Sequence, residues 1–184
     1  MRRILLISIL CLLAVVITDC KKAQLRTQLK GLMASTIVLP EKITCVYNGE
    51  VFPMPEELRS RPKLIVFVDS TECTTCRVSH IEMYHDLFLL AEESGLFDIM
   101  LILSNIDLSG ISIIRYLSDL GIEHPVYVDV DNMFLTLNSA IPNDDRRFHS
   151  FFLDKSGYPL CFGDPVSSEE IYQVFCKTIN KITP

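Results

Sequence analysis

No run of lysines and arginines occurs anywhere in the 184 residues, which removes the electrostatic footprint of a nucleic-acid-binding surface. With 17 basic against 23 acidic residues the chain is mildly acidic. Repeats and low-complexity tracts are missing too, so the organising unit is an ordinary packed core. The N-terminal apolar stretch, Ile4 to Thr18, is shorter than the roughly 20 residues a helix needs to cross a bilayer. A cleavable export signal fits it better than a permanent span. Only one CxxC is present, Cys73-Thr74-Thr75-Cys76, with neither a second CxxC nor an H-x-H-type pair to complete a structural zinc site.

The export reading is carried by Met1-Arg2-Arg3, a short basic start, followed by the apolar run and then Asp19-Cys20-Lys21-Lys22. No small-x-small cleavage site is present. Cys20 stands instead where a bacterial lipoprotein signal places its lipidated cysteine, and Ile17-Thr18-Asp19-Cys20 resembles a lipobox in which Asp19 replaces the usual small residue. Residues 1–19 are therefore expected to be a signal and Cys20 a lipidation site, with 20–35 forming a tether or stalk helix. The competing reading is an uncleaved or ordinary secretory signal with Cys20 an incidental thiol.

Roughly 165 residues then remain, enough for one domain with its own core. Of seven cysteines, Cys11 falls in the signal and Cys20 at its end. Cys45, Cys73, Cys76, Cys161 and Cys176 are left, an odd number in an oxidising compartment. Cys161 and Cys176 read as small buried hydrophobes or as partners for Cys45.

Cys73 and Cys76 follow an apolar β-branched run, Leu64-Ile65-Val66-Phe67-Val68, and open a helical pattern over 74–93. Two thiols three residues apart on a first helical turn can close on each other. The helix start also favours a thiolate at the first of them. Cys73 is thus the expected nucleophile and Cys76 the resolving thiol. Arg77 supports a thiolate, and Glu72 opposes one. The alternative is a structural disulfide that never turns over.

Hydrophobic periodicity predicts a helix over 22–33 and β pieces at 36–39, 43–47 and 50–52, with Asn48-Gly49 as a tight turn. An extended stretch rich in proline follows. Strands are predicted at 63–69, 97–103 and 125–130, and helices at 74–93, 109–120 and 132–139. A hairpin over 150–153 and 158–162 turns on Asp154-Lys155-Ser156-Gly157. The last helix starts behind a capping box of Ser167 and Glu170, burying Ile171, Val174, Phe175 and Ile179. The order βαβαβαββα implies parallel pairing through helical crossovers with an antiparallel closing hairpin. The CxxC then falls at the carboxyl end of the first core strand, where open α/β sheets place their sites.

With these pieces, residues 63–181 resemble the thioredoxin-like fold, in particular the membrane-tethered TlpA/ResA-type thiol–disulfide oxidoreductases of bacterial envelopes. The matching stretches are Leu64–Val68 leading into Cys73-Thr74-Thr75-Cys76-Arg77, and Ser150-Phe151-Phe152-Leu153-Asp154-Lys155-Ser156-Gly157. The resemblance implies an α/β three-layer sandwich, a mixed sheet with helices on both faces. It also implies an N-terminal β-hairpin extension over 36–62 before a thioredoxin-like domain over 63–184. Protein thiols or disulfides of the envelope would be the partners, with no cofactor, on the periplasmic side of a membrane. Two family residues are replaced: Glu72 stands where a tryptophan precedes the first cysteine, and Phe148 where a cis-proline faces the disulfide. Pro142 lies six residues too early to substitute.

Other polar residues carry two readings each. Asp69 is a loop-capping acid or a proton acceptor for Cys76, although the family's acid sits two residues earlier, at Phe67. His80 and His85 read as surface residues of the CxxC helix. His149 flanks the cis-proline position and reads as a core or solvated histidine, or as a neighbour of the thiol pair. Four functions follow. They are disulfide exchange, a peroxiredoxin-like peroxidase on Ser70-Thr71-Glu72-Cys73, a Sco-type copper protein using both thiols and His149, and a non-catalytic binding module. Disulfide exchange is the expected one.

Overall fold

The computed structural model describes residues 23–70, 78, 81–108 and 110–182. Helix α1 covers 23–33, followed by strands β1 (Ile43–Tyr47), β2 (Glu50–Pro53) and β3 (Lys63–Val68). Next come α2 (His85–Ser94), β4 (Asp98–Ser104), the small strands β5 (Asp107–Leu108) and β6 (Ile111–Ser112), and α3 (Ile113–Leu120). The chain continues through β7 (Val126–Asp129), α4 (Phe134–Leu137), β8 (Ser150–Leu153), β9 (Pro159–Phe162) and α5 (Glu169–Ile182).

Seven strands form one sheet in the order β2-β1-β7-β4-β3-β8-β9. β3 and β7 both run parallel to β4, while β8 is antiparallel to β3 and β9 to β8. Why this sheet is buried on both sides is plain from β3, in which all six residues are buried. Leu64, Val66 and Val68 enter one core and Ile65 and Phe67 the other, as the two-residue side-chain period of a strand requires. β4 repeats the division with Ile99, Leu101 and Leu103 against Met100 and Ile102. The first core is covered by α2, α3 and α5 through Leu87, Leu117 and Phe175, and the second by α1 and α4 through Leu32 and Phe134. This is the expected three-layer sandwich with helices on both faces.

Each core is keyed by phenylalanines. Phe97, Phe152 and Phe175 meet edge to face with ring centroids 5.4–5.6 Å apart. Such pairs add about 0.5–1.5 kcal/mol each beyond their buried area. In the second core Phe67 stacks on Phe134 at 4.7 Å. Among the buried polar residues Lys63 is 1% exposed, with its Nζ donating to the Arg59 carbonyl at 3.3 Å. Burial pushes its pKa down to about 8, against the opposing pull of Asp98 and Asp154.

Several expectations change in detail. The expected N-terminal hairpin extension is present as β1 and β2, and β1 also pairs antiparallel with β7, which joins it to the central sheet. Its Asn48-Gly49 turn has positive φ at both residues, 50° and 78°, as a two-residue hairpin turn of this hand demands. Residues 36–39 form no strand. Instead Ile37 donates to the Gly157 carbonyl at 2.9 Å and Val38 exchanges two bonds with the Asn138 side chain. The segment expected as a stalk packs on the domain, with Leu32 1% exposed and Leu25 and Leu29 against the second core.

Within the predicted helix over 74–93, Val78 is helical, residues 81–84 form a 3₁₀ turn and His85–Ser94 form a regular helix, while 74–77 and 79–80 lie outside the described residues. The helix predicted from 109 begins at Ile113, because Asp107–Leu108 pairs antiparallel with Ile111–Ser112 and Ser112 caps the helix by accepting from the Arg115 N–H. For α5, Ser168 rather than Ser167 caps: its Oγ accepts from the Ile171 N–H, while the Ser167 hydroxyl donates to the Asp164 carbonyl. On this helix Val174, expected on the buried face, is 49% exposed, while Phe175 and Ile179 are buried.

Candidate active site

The carboxyl end of β3 is where the chain leads into the thiol pair: Cys73 is five residues beyond Val68. Cys73, Cys76 and their neighbours Glu72, Arg77 and His80 lie outside the described residues, as does Cys20. What surrounds the end of β3 is described. Asp69 follows it and is buried, 7% exposed. Val78, two residues after Cys76 in sequence, is buried in the first core.

The strand beside β3 is β8, with Val66 opposite Ser150. One step further, the Phe67 N–H donates to the His149 carbonyl at 2.8 Å. Residue 149 is thereby held at the end of β3. The segment entering β8 is a 3₁₀ turn, Arg146–Phe148, started by Asp145, whose carboxylate accepts from the Arg147 N–H. The Arg147 guanidinium, bonded to the same carboxylate, holds the Asp145 pKa below its ordinary value.

Phe148, at the position where the resemblance places a cis-proline, turns into the second core with 3% exposure and meets Phe162 edge to face at 6.1 Å. Its N–H donates to the Asp145 carbonyl at 3.0 Å, a bond that proline could not make. No peptide bond among the described residues is cis. The local backbone at this position is therefore a hydrogen-bonded turn.

His149 is a core histidine, 2% exposed and edge-on to Phe67 at 5.7 Å. Its Nε2 lies 3.2 Å from the Pro142 carbonyl, which can only accept, so the proton is on Nε2. A lone pair for a metal would then come from Nδ1 alone. Pro142, which the sequence set aside, thus positions the ring beside the end of β3.

The remaining thiols do not form the pairs left open by the sequence. Cys45, Cys161 and Cys176 are free. Cys45 belongs to the second core and the other two pack against the first, so the sheet itself separates Cys45 from both. Burial pushes the Cys45 thiol up to about 11, opposed by a hydrogen bond with Tyr127 across the β1–β7 pair. Burial likewise raises the Cys161 pKa.

A second polar cluster, which the sequence gave no signal for, lies on the α2 side. His85 Nδ1 and His124 Nε2 are 3.2 Å apart, and the His124 ring stacks on Phe88 at 4.2 Å. The two histidines are separated by 39 residues, beyond any local pattern. Among the described residues no group of three His, Cys, Asp or Glu side chains converges on one point. Nor is any described helix long and apolar enough to cross a membrane.

No protein-family model matches the chain, and no curated protein matches it in sequence. Its likenesses are to solved structures. AhpC of Enterococcus faecalis is 11% identical with a TM-score of 0.51, over 80% of this chain and 93% of that one. A putative thiol:disulfide interchange protein DsbE of Chlorobium tepidum is 14% identical with a TM-score of 0.49, over 79% and 98%. An exposed lipoprotein thioredoxin of Streptococcus pneumoniae is 14% identical at 0.46, over 74% and 97%. With parallel β3, β4 and β7 and an antiparallel β8–β9 hairpin closing the sheet, the chain has the thioredoxin-like fold.

Proposed function

We propose that the chain is an exported, lipid-anchored thiol–disulfide oxidoreductase that acts on protein thiols or disulfides of the bacterial envelope through Cys73 and Cys76. The observation that carries this reading is the position of the CxxC in the chain. It lies just past the carboxyl end of β3, a central strand flanked by parallel β4 and antiparallel β8, in a thioredoxin-like sheet. In the reducing direction the Cys73 thiolate attacks one sulfur of a partner disulfide, forming a mixed disulfide and expelling the partner's other sulfur as a thiolate. Cys76 then attacks Cys73 Sγ. The second partner thiolate leaves, the Cys73–Cys76 disulfide forms, and two electrons have passed to the partner. Oxidation of a partner dithiol is the same sequence reversed. The export and anchor parts of the proposal rest on the segment ending at Cys20.

Trapping tests the mechanism. Cys76→Ser leaves the attacking thiol without its resolving partner, so mixed disulfides with envelope proteins accumulate, whereas Cys73→Ser accumulates few. Non-reducing gels of envelope extracts from the two variants read this directly. Equal adduct patterns sink disulfide exchange and bring the binding-module reading forward. Fatty-acid probe labelling that Cys20→Ala abolishes tests the anchor separately.

A further inference from the structure

Away from the end of β3, we propose that His85 and His124 form a binding site for a borderline transition-metal ion, with Zn(II) the reference case. His85 opens α2, and His124 lies in the loop before β7. Both line one groove of about 690 Å3 together with Glu82, Glu123, Tyr116 and Val78. The two facing nitrogens, His85 Nδ1 and His124 Nε2, are 3.2 Å apart.

That spacing suits a shared proton, and it suits a shared metal equally. Two imidazole nitrogens bound to one tetrahedral ion at about 2.05 Å stand roughly 3.3 Å apart. The nitrogens already stand at the separation an ion requires, and the rings need to turn so that both lone pairs converge on it instead of pointing at each other. One of the two rings is also held in place, while His85 is exposed and can turn towards it. His124 lies flat against Phe88, 9° from parallel at 4.2 Å, and Phe88 is one helical turn on from His85 in the same helix. A fixed His124 plane lowers the ordering cost of ligation.

Imidazole nitrogen is the ligand that Zn(II), Cu(II) and Ni(II) prefer among side chains lacking sulfur. When both rings are neutral, the ring that donates the N–H must move its proton to its other nitrogen, by exchange with water, before both lone pairs face the ion. No net proton is released in that step. Glu82 and Glu123 are exposed residues of the same groove, and rotation of their side chains would bring anionic ligands from its rim, with water completing four-coordination. In the described geometry only the two histidines are in place.

The test uses mature protein carrying Cys73→Ser and Cys76→Ser, so that thiolates of the CxxC cannot answer for the imidazoles. Titration with zinc chloride by calorimetry is expected to give one ion per chain. His85→Gln and His124→Gln should each weaken binding at least tenfold, and Glu82→Gln with Glu123→Gln should weaken it severalfold. In parallel, zinc should shift the ring proton resonances of His85 and His124 and leave that of His149 in place. Because His85 is exposed, His85→Gln tests the site without disturbing a core. Binding untouched by either histidine variant, or no binding into the millimolar range, overturns the site. Neither result bears on the thiol chemistry.

Discussion

The N–H of Phe67 donates to the carbonyl of His149 at 2.8 Å, one step beyond the Val66–Ser150 pair of the β3–β8 ladder. This single bond fixes the turn entering β8 to the end of the strand that leads into the CxxC. In the TlpA/ResA-type proteins that the sequence resembles, a cis-proline would face the disulfide from this place. Here the same place is filled by a turn whose own hydrogen bonds and buried Phe148 determine its shape.

Restoring the proline should therefore fail. Phe148→Pro removes the N–H bond to Asp145 and a ring buried in the second core. A loss of about 3 kcal/mol or more is expected from the cavity alone, read as a lower urea midpoint. An unchanged midpoint would mean that the turn accepts a proline without cost.

Thiol accessibility gives a graded outcome. Brief iodoacetamide treatment of the reduced, native protein should label Cys73 first, then Cys76. Cys45, with its thiol pushed up to about 11, should react last. Thiolate fraction and burial together should make it roughly a hundredfold slower than Cys73. Mass spectrometry of the peptides checks the order, and labelling of Cys76 ahead of Cys73 would invert the roles.

Lys63 predicts a pH dependence. Its pKa is lowered in the folded protein from 10.5 to about 8, so below about 8 it is charged in both states and the full burial cost opposes folding. Between about 8 and 10.5 the unfolded chain binds the extra proton, so stability rises with pH across that window. Lys63→Met should stabilise the domain at pH 7 by on the order of 1–2 kcal/mol, after discounting for solvent screening. The advantage should shrink as pH passes through the window. Thermal melts at pH 7 and pH 10 read the difference, and a constant gap would contradict the assignment.

Gly157 joins the N-terminal segment to the closing hairpin. Its φ is +84°, and a Cβ there would stand 2.9 Å from the Ile37 carbonyl oxygen. Gly157→Ala should cost about 1–3 kcal/mol through backbone strain and that clash. It should also increase hydrogen exchange at Ile37, whose N–H donates to Gly157. Unaltered exchange at Ile37 would show that the segment is held elsewhere.

Much of the architecture was legible from local pattern. Leu64–Val68 and Ile99–Leu103 are continuous apolar runs because both faces of their sheet are covered, and Asn48-Gly49 and Gly121 announce a turn and a helix end through positive φ. The closing hairpin was legible for the same reason, since Asp154 and Gly157 are the residues its turn needs. Residues 36–39 misled because their apolar alternation reflects packing on the second core, without a partner strand to complete a ladder. Ser167 and Ser168 offered two caps one residue apart, and only the Asp164 carbonyl, by taking the first hydroxyl, left the second to start the helix.

Chain order, the two-faced strands and the placement of a CxxC behind the first core strand follow from residues near one another in sequence, where steric and periodic rules act. Which strands become neighbours in space is a different matter. That β1 joins the sheet beside β7, that His149 is anchored by Pro142 and Phe67, that the sheet parts Cys45 from Cys161 and Cys176, and that His85 meets His124 are all long-range outcomes. Each depends on burying two apolar faces at once, and no local propensity carries that information.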